Sequence, residues 1–211
     1  KLVGNAINEV ENLELSTTYA LKPTDFPDLT PKLILREGAE VKAGEAVYMD
    51  KDRPEIKFSA PVSGEITEVR RGEKRKILEI VILADKEVKH VDFGVKDPLS
   101  LSRDAIVATL LDSGAWPLLV ERPFGVVPNP KNTPKNIFVT GINSAPLAAD
   151  IELTIKGEEE NLQAGLNALS KLTDGKVYLS LDGDAKPAQE LTQAQNVEIV
   201  YFTGKHPKGN P

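Results

Sequence analysis

Side chains able to do chemistry gather in three places along this chain. The first is Gly204-Lys205-His206-Pro207-Lys208-Gly209, where glycines and cations together suit an anion. Glycine lets backbone N–H groups approach a phosphate closely. The run lacks the spacing of a Walker loop, and no Ser or Thr follows Lys205, so an ordinary polar turn is the plainer reading. The second place is Asp182-Gly183-Asp184. Its two carboxylates make a pair, but such a triplet is a turn former first. The third is the basic group Arg70, Arg71, Lys74, Arg75 and Lys76. Its plain reading is a solvated hairpin turn. Its functional reading is docking to an acidic partner or to lipid headgroups, where each cation near a membrane contributes roughly 1 kcal/mol.

Several chemistries are excluded. The chain has no Cys, so it supplies no disulfide, no thiolate nucleophile and no cysteine ligand for an iron–sulfur cluster. His90 and His206 stand far apart and in no metal-ligand spacing. No nucleophile–base pair is legible. A net charge of −6 removes the basic footprint of a nucleic-acid binder. No apolar run approaches the roughly 18–20 residues of a membrane span, and no signal peptide is visible. The start at Lys1 without Met and the stop at Pro211 lead us to expect a piece of a longer protein.

The elements that hold these groups follow from pattern. The 211 residues, 40% apolar and 27% charged, suffice for one large globular domain or two modest ones. Residues 1–30 read as an extended N-terminal segment, because Pro23 and Pro27 remove donors and block helix there. Phe26 and Leu29 lie in this proline-held stretch and, if exposed, would make a small apolar anchor. Residues 31–98 alternate apolar and polar side chains between regular turns, which predicts a small all-β domain. Its last strand, Ile77 to Leu83, follows the basic turn.

Residues 99–211 change character. Ser102 caps a predicted helix, with Asp104 in its first turn and Gly114 past its end. Arg122 to Pro134 holds four prolines and reads as a linker or wrapped loop. Trp116 and Phe124 sit among prolines, as core or as a partner-facing patch. Strands at Ile137–Val139, Val177–Leu181 and Val197–Phe202 then alternate with helices. Leu162, Leu166 and Leu169 share one helix face, and Pro187 to Gln193 forms a shorter helix. Such alternation predicts a parallel sheet with right-handed crossovers. Loops Thr140 to Ala145, Asp182 to Lys186 and Thr203 to Asn210 then leave the carboxyl ends of the strands. That edge is the usual crevice of open α/β folds, and it gathers Asn143, Ser144, Asp182, Lys205 and His206 as candidate crevice residues. The predicted class is mixed α/β: a β domain joined to a Rossmann-like α/β domain.

The β domain resembles the biotinyl/lipoyl barrel-sandwich carriers. The resemblance lies in Gly38-x-x-Val41-x-x-Gly44 and Ala60-Pro61-x-Ser63-Gly64-x-Ile66. Carriers present a modified lysine at the hairpin tip between these halves, within Asp-Lys-Ala or Met-Lys-Met. Here the tip reads Asp50-Lys51-Asp52-Arg53-Pro54, with Arg53 closest to the carrier position and Pro54 stiffening it. The expectation is a structural β domain used for docking.

A wider resemblance follows along the chain. Asp50-Lys51-x-x-Pro54-x-Ile56-Lys57-Phe58 leads to Arg71-Gly72-Glu73-Lys74-Arg75 and to Leu110-Leu111-x-Ser113-Gly114-x-Trp116. Arg122-Pro123-Phe124, Pro146-Leu147-Ala148 and His206-Pro207-x-Gly209-Asn210 complete the ordered set. Over nearly all 211 residues it resembles the A subunits of the sodium-translocating NADH:quinone reductases. Gly141 to Ala145 departs from that family's more usual Met-Asp-Thr-Asn-like loop.

The resemblance implies a multi-subunit membrane enzyme that oxidises NADH, reduces ubiquinone and exports Na⁺. This chain would lie peripherally on the cytoplasmic face of the bacterial inner membrane, beside membrane subunits. NADH, flavins, an iron–sulfur centre and ubiquinone are expected in the complex, and no cofactor in this chain. Contact of this chain with ubiquinone stays open, and the isolated fragment is expected to be inactive. Related NADH- and flavin-binding subunits use a loop Gly-x-Gly-Gly-Ala-Gly-Phe-Pro. At the matching place stands Gly114-Ala115-Trp116-Pro117, running on to Glu121 and Gly125, which implies that the nucleotide site is absent or blocked.

Two other readings compete: a stand-alone adaptor of carrier-domain type without covalent cofactor, and a flavin or NAD enzyme in its own right. Intact mass tests the first. Expressed with ligating enzymes, the chain is expected to keep an unmodified Lys51, and a lipoyl or biotinyl mass shift there would contradict the structural reading.

Overall fold

The computed structural model describes residues 7–209, so Asn210 of the third crevice loop and the start of the N-terminal segment lie outside the described residues. Two compact units are present. One gathers Leu13–Val95 and Val107–Asn132; the other gathers Lys96–Ile106 and Thr133 onward, with the described residues up to Asn12.

The first unit is built around β-strands. These are β1 (Thr18–Leu21), β2 (Pro31–Leu33), β3 (Glu40–Val41), β4 (Ala46–Asp50), β5 (Lys57–Ser59), β6 (Gly64–Arg71) and β7 (Ile77–Ala84). They form a four-stranded sheet, β1-β7-β6-β3, and a three-stranded sheet, β2-β4-β5, antiparallel throughout. Thr18–Leu21, expected within an extended loop, is an edge strand that pairs Thr18 with Leu83 and Leu21 with Ile80. Open edges offer unpaired N–H and C=O groups, and Pro23 stands just beyond this strand, where it spoils no ladder.

Packing inside this unit is set by cross-strand pairs. Ile66 on β6 faces Ile82 on β7, and both are fully buried. A register shift between Ala46 and Tyr48 breaks the alternation of β4, so the neighbours Val47 and Tyr48 both point inward. Tyr48 stacks on Phe58 with ring centroids 4.5 Å apart, and Phe26 meets Phe58 edge-on at 4.7 Å. Burial pushes the Tyr48 phenol well above its ordinary pKa, and the charge of Asp25 adds to this. The two turn glycines also serve as ladder donors. Gly38 N–H donates to Ile66 O and Gly44 N–H to Ala60 O, both at 2.8 Å, with Val41 buried between the turns.

The proline-rich stretch is wrapped, not free. Helix α1 (Arg103–Asp112) begins with the Ser102 hydroxyl accepting from Ala105 N–H at 3.3 Å. Past its end, Gly114 lies so close to Ser59 that a Cβ would stand 2.2 Å from Oγ. Trp116 is buried and its Nε1 donates to Pro128 O at 2.9 Å.

The second unit contains β8 (Ile137–Thr140), α2 (Ile151–Ile155), α3 (Glu159–Ser170), β9 (Val177–Asp182), α4 (Gln189–Thr192) and β10 (Glu198–Phe202). Its strands are parallel in the order β10-β9-β8. Leu179 and Leu181 form its core with Leu191 of α4. Ile151 and Ile155 of α2 and Leu162 of α3 pack on it. Helix α2 has no sequence-level forecast, because five residues are too few to show a period. Its cap is plain: Asp150 accepts from Glu152 N–H at 2.9 Å.

One position tests the β unit. Gly64 pairs with Val41 on one side and Ala84 on the other, and a Cβ there would stand 1.9 Å from Leu83 O. Gly64→Val is expected to destabilise the unit by about 3 kcal/mol. Lys51 is exposed, so Lys51→Ala is expected to cost less than about 0.5 kcal/mol. Urea unfolding of the two variants measures the difference, and equal midpoints would contradict it.

Candidate functional site

Each unit carries one candidate site. On the β unit, the segment after β1 and the hairpin tip after β4 enclose a cleft of about 470 Å³. Phe26, Leu29, Asp50, Asp52, Arg53 and Lys76 contribute to its walls. Phe26 and Leu29 are half-buried; Phe26 spends one edge on Phe58 and leaves the remainder to the cleft. The fold therefore brings Lys76 to Phe26 and Leu29, which lie far from it in sequence.

The hairpin tip is tied down. Asp50 is buried, and its carboxylate accepts from Arg53 Nε at 2.8 Å and from Asp52 N–H at 3.2 Å. Arg53 Nη1 also donates to Val127 O at 2.9 Å. A buried carboxylate left without its cation is strongly unfavourable, so this pair holds the tip in one shape.

The five cations of the neighbouring turn do not act alike. Arg70 is engaged by Glu79 at 2.7 Å and Glu68 at 2.9 Å. The same contact holds the Glu79 carboxyl below the usual range, with Lys22 assisting at 3.4 Å. Arg71 Nη1 donates to Arg75 O at 3.0 Å, closing the turn. Lys74 and Arg75 sit at its tip with positive φ, and Lys76 reaches the cleft. Among the described residues no salt bridge engages Lys74, Arg75 or Lys76.

On the α/β unit, the carboxyl edge of the sheet brings Ser144, Asp182 and His206 together around a residue outside the expected crevice set, Lys208. Its Nζ lies 2.7 Å from Asp182 and 2.9 Å from Asp184. Lys208 holds both carboxyls below their ordinary range, chiefly through these hydrogen bonds, and its own ammonium is raised in return. Asp184 also accepts from Gly204 N–H at 2.8 Å. A signal for this cation exists in the sequence, since two acids flanking Gly183 call for one, but it does not distinguish Lys208 from Lys205.

Ser144 Oγ lies 3.0 Å from His206 Nδ1 and accepts from Lys208 N–H at 3.1 Å. His206 is exposed, and no carboxylate hydrogen-bonds to its ring among the described residues. Asn143 uses its side chain on Ala145 N–H at 3.1 Å, a turn contact, and Lys205 stands exposed in solvent. The edge thus spends its cation on its own acids and works as a fastening for the last loop. No group of three or more His, Cys, Asp or Glu residues is placed to hold a metal among the described residues, and no helix there is long and apolar enough to cross a membrane.

Comparison with known proteins adds a family. Residues 1–85 match the family described as the NqrA N-terminal barrel-sandwich hybrid domain, and residues 101–211 match the NqrA second alpha/beta domain. A Vibrio vulnificus protein, named as the A subunit of a Na(+)-translocating NADH-quinone reductase, is 39% identical over 195 residues, covering 92% of this chain and 43% of that protein. Proteins of the same name from Serratia proteamaculans and Alcanivorax borkumensis are 36% and 37% identical over 214 residues, covering 99% of this chain and 47% of each. The chain spans just under half the length of these relatives.

The fastening by Lys208 predicts a pH response. Asp182 and Asp184 have depressed pKa values, so their contribution is complete above the ordinary aspartate range and is lost as pH falls through the depressed values. Hydrogen exchange at Gly204 N–H, corrected for the intrinsic rate, is expected to stay slow from neutral pH down to that range and to accelerate below it. Lys208→Met is expected to remove the protection at neutral pH. Unchanged protection in that variant would contradict the assignment.

Proposed function

The chain belongs to the NqrA family, the A subunits of the sodium-translocating NADH-quinone reductases, and we propose that it is a docking part of such a complex that carries no redox group of its own. In this reading the neighbouring subunits hold NADH, flavins, the iron–sulfur centre and ubiquinone. The chain lies on the cytoplasmic face, where it supports assembly and quinone reduction coupled to Na⁺ export.

The observation that carries the reading is the cleft beside the basic turn. It sets apolar Phe26 and Leu29 next to Lys76, and Lys74 and Arg75, engaged by no salt bridge among the described residues, precede Lys76 in the turn. Half-buried aromatic and aliphatic walls with unpaired cations beside them suit a partner loop that is apolar at its tip and acidic at its flank. Two further features support it. Arg53, nearest the carrier position, is held from both sides and has no freedom to swing. At the place where the resemblance sets the glycines of related nucleotide-binding subunits stands Trp116, which is buried and donates to Pro128 O.

The test replaces Lys74, Arg75 and Lys76 together by Gln in the full-length protein and follows assembly and NADH-driven quinone reduction against salt. Each cation contributes roughly 1 kcal/mol near an anionic surface, so assembly at low salt is expected to weaken by about 100-fold. The difference from wild type is expected to shrink as salt rises. Arg70 is left unchanged because its charge is spent on Glu68 and Glu79. Identical assembly at every salt concentration would reduce the turn to a solvated hairpin. Separately, the purified chain is expected to be colourless after dialysis, and a stoichiometric flavin spectrum would overturn the claim that it carries no redox group.

A further inference from the structure

The parallel sheet of the α/β unit is covered on one side only by the helices that connect its strands. Paired residues in parallel strands share a face. Val139, Leu179 and Ile199 are in register and belong to the core together with α2, α3 and α4. The opposite face carries Phe138, Tyr178, Val200 and Phe202, bordered by Thr140, Asp182 and the Glu198 that pairs with Lys176. Phe138 is 58% exposed and Phe202 39%; Tyr178 and Val200 are partly exposed. Phe138 and Tyr178 stack with centroids 5.3 Å apart. Small Ser180, in the same face, is the buried member of the set.

Parallel sheets are ordinarily buried on both faces, because crossovers and neighbouring elements cover them. Here β8, β9 and β10 are added in one direction across the sheet, so right-handed crossovers put every connecting helix on one side. A stacked aromatic pair standing bare on the other side marks a contact surface.

We propose that this face is covered in the full-length protein by the part of the same chain that follows residue 211. Two observations select that occupant. The matched domains are the N-terminal and second ones, and this chain covers only 43–47% of its relatives, so more than half of such a protein follows. The loop after β10 is also tied to the carboxyl end of this face: Lys208 is held by Asp182, the last residue of β9, which shares the face with Tyr178. The surface is separate from the Lys76 cleft, which belongs to the other compact unit, and stands on the family's length whether or not the docking reading holds.

The test uses the full-length protein with Phe138 replaced by p-benzoylphenylalanine, irradiated and mapped by mass spectrometry. The expected product is an intramolecular crosslink from position 138 to residues beyond 211. The same group at Val200 is expected to reach the same segment. Crosslinks from both positions to residues 13–132, to a different protein of the complex or to a second copy would overturn the proposal, as would none at either. Hydroxyl-radical labelling of the unsubstituted protein guards against damage by the substitution. Phe138 is expected to be oxidised at least tenfold more slowly in the native protein than after urea unfolding, and equal rates would overturn the proposal. A loss of assembly in the Lys74, Arg75 and Lys76 variant leaves this outcome untouched, so the two ideas fail separately.

Discussion

The β unit depends on the close approach of β6 and β7. Gly64 starts that ladder with no room for a side chain, since a Cβ would meet Leu83 O at 1.9 Å. With the strands this close, Ile66 and Ile82 face one another fully buried, and Val69 follows opposite Ile80. Strand β1 then takes the free edge of β7, and β3 takes that of β6. The turn that closes the ladder is the basic turn, so the direction of its cations is a consequence of the same pairing. Lys76 and Ile77, where the turn enters β7, both line the cleft.

Charge is used in two different ways. At the hairpin tip and at the carboxyl edge of the parallel sheet it is spent internally. Buried Asp50 keeps Arg53 beside it, and Lys208 spans Asp182 and Asp184. At the tip, an unpaired Asp50 would carry a desolvation penalty that Arg53 removes. On the basic turn, charge divides. Arg70 closes on Glu68 and Glu79, whereas Lys74, Arg75 and Lys76 keep theirs for solvent or a partner. A count of cations in sequence overstates what such a turn can offer, because carboxylates on the same and on the paired strand engage Arg70.

The two units also differ in how completely they close. The β unit satisfies its sheets with its own strands and with the Trp116 stretch, which hydrogen-bonds back on itself at Pro128. The α/β unit places its helices on one side of three strands, and Phe138 and Tyr178 remain bare on the other. That asymmetry follows from adding strands in one direction, and it is what a domain within a longer protein can tolerate and an isolated one rarely does.

Much of this was legible in the sequence, for reasons that act locally. Alternation of apolar residues marked β6, leucine spacing marked α3, and Ser102 and Gly114 marked the ends of α1. The ordered motifs pointed to the family whose two domains match residues 1–85 and 101–211. What the sequence by itself could not determine was which distant residues meet. Thr18–Leu21 became a strand only because β7 offered an edge. Phe26 and Leu29 joined Lys76 only through the path of the chain around the cleft. Lys208, not Lys205, became the cation of the Asp182–Asp184 pair because the last loop folds back by an amount that no local pattern encodes. Period and capping are set by neighbours along the chain, whereas charge pairing and exposure are set by neighbours in space.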